Sequence, residues 1–147
     1  MSASLPADTR NLARFRYAVR KMFNTTDAEA RRVGLTPQQH QLLLGVAGFT
    51  GEGRATIGEL AECLQLRHHS VVGLVDRAFE AGWVKREPNP ENRREVNVVL
   101  TTDGLRKLRQ LGELHRKELN GLRRSLDIYR LERDAGTRDM TPKRRRR

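Results

Sequence analysis

Cysteine is almost missing from this chain: Cys63 is the one thiol in 147 residues. That excludes a disulfide framework and a zinc site built from several cysteines. No apolar run approaches the ~20 residues that cross a bilayer. The opening segment MSASLPADTR lacks the apolar stretch of a secretory signal. No internal repeat is present, and neither a phosphate-binding glycine loop nor a nucleophile paired with a base stands out. The expectation is a cytoplasmic protein of one domain or two small ones, not an enzyme, with no cofactor, no metal and no membrane role.

What is abundant is positive charge. There are 29 Lys and Arg against 18 Asp and Glu, a net charge of +11, which favours a polyanionic partner. The surplus is uneven: residues 1–53 net +3, residues 54–100 zero, residues 101–133 +4 and residues 134–147 +4. In the neutral middle, an argument for nucleic acid must rest on where individual cations stand.

Residues 8–32 read as an amphipathic helix, with Leu12, Phe15, Val19, Met22 and Phe23 at three- and four-residue steps and Gly34 as its stop. Thr36-Pro37-Gln38-Gln39 supplies a capping hydroxyl, a first-turn proline and a glutamine that reaches back. The helix it opens carries Leu42, Leu43, Leu44 and Val46 towards Phe49, and residues 50–53 read as a loop. Thr56-Ile57-Gly58-Glu59 is a second capping box, before a short helix with Leu60, Ala61 and Leu64 on one face. A further helix then places Val71, Leu74, Val75 and Ala78 at i, i+3, i+4 and i+7 and ends at Gly82. Two short helices about a tight turn suggest a helix-turn-helix.

Residues 83–86 and 96–100 read as strands around a polar loop, residues 87–94, with two prolines and a basic tip. Helix-turn-helix plus hairpin makes a winged helix, so the fold class is mainly α with a small β-hairpin wing. Thr101 or Thr102 can cap a final helix through Leu105, Leu108, Leu111, Leu114 and Leu119 towards Leu131, weakened locally at Gly112 and Gly121. Residues 135–147 (AGTRDMTPKRRRR) have almost nothing to bury and are expected to be disordered.

The stretch 36–119 resembles the MarR family of winged helix-turn-helix transcriptional regulators. The resemblance rests on Thr36-Pro37-Gln38, on Glu59-Leu60-Ala61-Glu62 with Leu64 and Leu66, and on Val71, Leu74-Val75-Asp76-Arg77 and Gly82-Trp83-Val84. It continues through Pro88-Asn89-Pro90-Glu91-Asn92-Arg93-Arg94 and Leu100-Thr101-Thr102-Asp103-Gly104. It implies a homodimer that binds pseudo-palindromic duplex DNA, commonly a repressor released by a small ligand, often an aromatic acid, or by oxidation. Four segments are expected: a dimerisation helix in residues 1–35, a winged helix-turn-helix in 36–100, dimerisation helices in 101–134 and, from its composition, a basic disordered tail in 135–147. The chain departs from the pattern at Asn92, where the wing usually has Asp, at Gly73, usually long and polar, and at Ala78, usually leucine.

With positions 71, 74, 75 and 78 turned inward, the outward face of the recognition helix holds Arg67, His68, His69, Ser70, Val72, Gly73, Asp76 and Arg77. His69 and Ser70 can exchange hydrogen bonds with base edges and Val72 can pack on a thymine methyl, while Arg67 and Arg77 suit phosphates. Arg93 or Arg94 at the hairpin tip can enter a minor groove, and the resemblance points to Arg94 foremost. Lys85 and Arg86 can face the DNA backbone or simply solvent. Thr56 can offer its hydroxyl to a phosphate, cap its helix, or do both.

Tyr17, Arg20 and His40 are candidates to meet an anionic aromatic ligand. His68 and His69 are adjacent and so point to different faces of the helix, which argues against a metal pair. Cys63 reads as a half-buried structural thiol rather than a sensor. Two other readings stay open: a non-specific basic nucleic-acid-associated protein led by its Arg-rich tail, and a winged-helix protein-interaction module.

Overall fold

The structure is a computed structural model; it describes the backbone of residues 6–137 and the side chains of residues 6–127. The elements in chain order are α1 (Ala7–Arg32), α2 (Pro37–Gly48), β1 (Arg54–Thr56), α3 (Ile57–Leu64), α4 (His68–Glu80), β2 (Val84–Pro88), β3 (Val96–Leu100), α5 (Thr102–Gln110) and α6 (Gly112–Thr137).

Threonines set the starts of three of these helices. The Thr36 hydroxyl accepts from the Gln39 N–H at 3.1 Å while the Gln39 side chain accepts from the Thr36 N–H at 2.9 Å. Thr56 and Glu59 repeat the exchange at 3.3 and 2.7 Å. Thr101 accepts from the Gly104 N–H at 3.1 Å. Each bond satisfies an amide that the first helical turn leaves without an intrahelical acceptor. Thr56→Ala is therefore expected to cost the second unit, described below, about 1 kcal/mol. Denaturant unfolding checks this, and an unchanged midpoint would contradict it. Gly34, at φ +81°, ends the turn after α1 in the left-handed region that suits glycine.

The three strands form an antiparallel sheet in the order β1-β3-β2. The hairpin expected from the sequence is present, with Val84 opposite Leu100 and Pro88 opposite Val96. β1 was not expected. It pairs Arg54 with Val99, Ala55 with Val98 and Thr56 with Asn97, and buries Ala55. Three residues are too few to show a period of two, so only the partner strand reveals the element.

The expectation of one final helix is corrected. α5 stops at Gln110, Leu111 takes φ −99° and ψ 6°, and α6 starts at Gly112. Leu111 is drawn into the core beside Leu108, and the glycine that follows propagates a helix poorly, so the chain breaks there. α6 continues to Thr137, so residues 135–137, expected to be disordered, are its last residues. The remainder of that basic tail, residues 138–147, lies outside the described residues.

The chain divides into two compact units. The second, Thr26–Leu114, contains the core: Ala30, Leu35, Leu42, Leu43, Val46, Leu60, Val71, Val75, Ala78, Val84 and Val98 are buried together. α2 and α3 approach closely at Gly45, where a Cβ would stand 3.2 Å from Cys63 Sγ. Lys107 of α5 donates to the Val33 carbonyl at 2.5 Å and lies 5.9 Å from the Trp83 ring centroid, fastening α5 to the end of α1. The first unit holds the chain up to Thr25 and from His115 on. Here a Cβ on Gly121 of α6 would lie 4.0 Å from Met22 Sδ of α1. Among the described residues of this unit no side chain is fully buried.

Candidate nucleic-acid interface

α4 is amphipathic in the sense its sequence requires. Val71, Leu74, Val75 and Ala78 are buried, which leaves Arg67, His68, His69, Asp76 and Arg77 exposed and Ser70, Val72 and Gly73 half-buried. The entry to α4 is tight because Gln65 takes φ 52° at the end of α3. That left-handed residue is held by its own side chain, which donates to the Glu62 carbonyl at 2.7 Å. Unlike α2, α3 and α5, helix α4 begins without a side-chain cap: Arg67 makes no such bond. Its first-turn amides therefore suit an external anion better than theirs do.

Gln38, at the start of α2, joins Leu66, His69, Ser70, Gly73, Leu74 and Arg77 in lining one open concavity along α4. Sequence reasoning missed Gln38 as a neighbour of this face, because only packing brings α2 beside α4. At Gly73 a Cβ would meet nothing nearer than Arg77 Nη1 at 3.5 Å. Packing does not demand glycine there, so the bare position is open to being set by whatever α4 faces.

The wing tip is built from its own polar side chains. Asn92 Oδ1 accepts from the Arg94 N–H at 3.1 Å, Asn92 O accepts from the Glu95 N–H at 3.0 Å, and Asn89 Oδ1 accepts from the Glu91 N–H at 3.0 Å. Asn92, which stands where the resemblance leads one to expect Asp, thus shapes the turn through its amide oxygen. Arg93 and Arg94 project from this turn, exposed, and their guanidinium groups have no ion pair among the described residues. The stem differs. Lys85 pairs with Glu87 at 2.7 Å, both side chains about half exposed, a contact worth only ~0–1 kcal/mol and readily exchanged for a phosphate. Arg86 pairs with Asp76 of α4.

Thr56 is occupied as the cap of α3, its hydroxyl oxygen accepting from Glu59. His40 is only 1% exposed, inside the second unit, so as it stands it cannot meet a ligand from solvent. Tyr17 and Arg20 lie exposed on α1 in the first unit. His68 and His69 stay at the surface. His115 is half-buried, and desolvation lowers its pKa against the opposing pull of Glu118. Cys63 is half-buried, and burial pushes its thiol up from the ordinary value, which leaves less of the reactive thiolate. Among the described residues no helix is long and apolar enough to cross a membrane.

Residues 33–95 match the model of the MarR family. The chain is 38% identical over 85 residues to the uncharacterized HTH-type transcriptional regulator YcgE of Bacillus subtilis (strain 168), a match covering 57% of this chain and 53% of that protein. The chain thus spans about half the length of this curated relative. RV1404 from Mycobacterium tuberculosis has a similar fold, with TM-score 0.66, 24% identity and coverage of 88% of this chain and 95% of that one. A mutant MarR from E. coli, complexed with operator DNA, gives TM-score 0.58 at 25% identity, over 82% of this chain and 88% of its own. The family match falls on the second unit, over α2 to the wing tip, and the helix-turn-helix with its wing found there has the fold of those structures: over residues 33–95 this chain is similar to the MarR family.

Proposed function

We propose that this chain is a dimeric, sequence-specific duplex-DNA-binding transcriptional regulator that acts in the cytoplasm as a repressor. The observation that carries the reading is the joint placement, in one unit, of an uncapped helix with an open polar face and a preformed turn that holds out two arginines. A helix of that kind suits a major groove, and arginines on a hairpin tip suit the negative potential of a neighbouring minor groove. The direct contacts are assigned to Arg67, His68, His69, Ser70, Val72, Arg77, Arg93 and Arg94, with Thr56 and Lys85 beside the backbone and Gly73 admitting close approach.

The match of residues 33–95 to the MarR family and the operator complex of a similar MarR support this reading. Self-association is supported by the first unit. It leaves Leu12, Tyr17, Phe23, Leu119 and Leu126 exposed along α1 and α6, apolar side chains that a second copy can cover. A small aromatic anion is the natural effector for Tyr17 and Arg20, whereas buried His40 takes no direct part.

Selection of bound sequences from random duplex DNA, repeated with and without a panel of aromatic acids, tests the proposal. Failure to recover any preferred sequence at moderate salt sinks it. Removing residues 143–147, with their five cations, should weaken binding to unrelated DNA. It should also flatten the log–log salt slope by at most ~0.9 for each phosphate that the tail had neutralised, and leave the preferred sequence unchanged. Equal loss on every DNA and RNA would instead favour a non-specific nucleic-acid-associated protein.

A further inference from the structure

A protein that reads two grooves must hold its helix and its wing at a fixed spacing, because DNA fixes the spacing of its grooves. In this chain one side-chain cluster joins them. Arg86 of β2 donates from Nη2 to Asp76 Oδ1 on the exposed flank of α4. The same guanidinium lies 5.2 Å from the centroid of the Phe79 ring, three residues further along α4. Phe79 is 50% exposed, so it serves less as core than as a platform. Arg86 stands opposite Val98 in the hairpin and two residues before Pro88, where the stem gives way to the tip.

We propose that Asp76, Arg86 and Phe79 form a clasp that sets the wing against α4, making Arg86 a positioning residue for DNA binding rather than a phosphate contact. This rests on the regulator reading above. The edge of the guanidinium is taken by a carboxylate and its face by a ring, a double engagement that a planar cation manages and an ammonium does not. Its charge is matched by Asp76, so little of its field is left for a phosphate. The clasp also accounts for an acid on a face meant for a polyanion: paired, Asp76 repels the backbone far less than it would alone. An exposed pair of this kind adds only ~0–1 kcal/mol to folding. Its effect lies in geometry, since a shift of about 1 Å in a contact group can cancel its contribution.

The test measures affinity of the full chain for its selected duplex across a salt series, with thermal unfolding in parallel. The proteins are the parent, Arg86→Ala, Arg86→Lys, Asp76→Ala and the double Asp76→Ala/Arg86→Ala. Arg86→Ala should lose about tenfold in affinity, with far less loss when Asp76 is already alanine. The log–log salt slope should stay unchanged, and Arg86→Lys should fail to restore binding. A slope reduced by ~0.9 would show that Arg86 neutralises a phosphate and would overturn the clasp. So would additive losses, or a loss fully explained by the fraction unfolded. A parent chain that prefers no duplex is seen before any variant is compared, and it overturns the regulator reading together with the clasp.

Discussion

Replacing Gly104 with alanine should destabilise the second unit by about 3 kcal/mol or more, at or beyond the upper end of what overpacking usually costs. A Cβ on this residue would lie 2.0 Å from the Trp83 carbonyl oxygen, 2.9 Å from its carbonyl carbon and 3.3 Å from its Cα. These are backbone atoms, so no rotamer change relieves the clash. Nor is the Trp83 carbonyl free to retreat, because it accepts from the Thr101 N–H at 3.0 Å, while the Trp83 N–H donates to the Ala78 carbonyl at 3.0 Å. Thr101 is bound in turn, its hydroxyl donating to the Gly82 carbonyl at 2.5 Å. Moving α5 away would open this whole junction between α4, the sheet and α5. For a domain of this size the expected fall in melting temperature is roughly 12–24 °C. Gly73→Ala is the matched control: its methyl meets only Arg77 Nη1, at 3.5 Å, and alanine favours a helix interior by up to ~1 kcal/mol. Equal melting temperatures for the two variants would refute the packing account of Gly104.

Arg94→Ala should weaken binding to the preferred duplex by ~1–3 kcal/mol and leave both folding and self-association unchanged. The guanidinium is exposed and has no ion pair among the described residues, so removing it orphans nothing in the free protein. What is lost belongs to the complex, where a minor groove concentrates negative potential around an inserted arginine. The residue is presented by a turn already formed, with its own amide held by Asn92 Oδ1 at 3.1 Å, so little ordering entropy opposes insertion. Titration against duplex DNA, with equilibrium sedimentation beside it, reads both quantities. A variant that falls apart into monomers would show that Arg94 serves assembly. Intact activity after loss of both Arg93 and Arg94 would favour a protein-interaction module.

Much of the second unit was legible in the residues because its signals are local. A threonine three residues before Gln39 or Glu59 marks a helix start through bonds that span one turn. The spacing of Val71, Leu74, Val75 and Ala78 names an inner face, and buried they are, with the outward set following by subtraction. Asn92 and the arginines after it announce a turn and its tip.

Other features depend on residues far apart along the chain. β1 exists because β3 offers it an edge. The break at Leu111 depends on the core into which that side chain is drawn. His40, a polar residue expected at a ligand, is buried because α2 turns it inward with Leu43. Gly104 stood in the sequence as one glycine of a Thr-Thr-Asp-Gly run, and its necessity came only from a carbonyl 21 positions earlier. In the sequence Arg86 is one more cation; only the fold sets Asp76 and Phe79 beside it. Helix starts, the inner face of α4 and the charged tip of the wing follow from the residues alone, since propensity, capping and periodicity act within a turn or two. The tertiary structure decided which cations are spoken for, which glycine cannot change and where the last helix divides, since each of these is a contact between segments that only folding brings together.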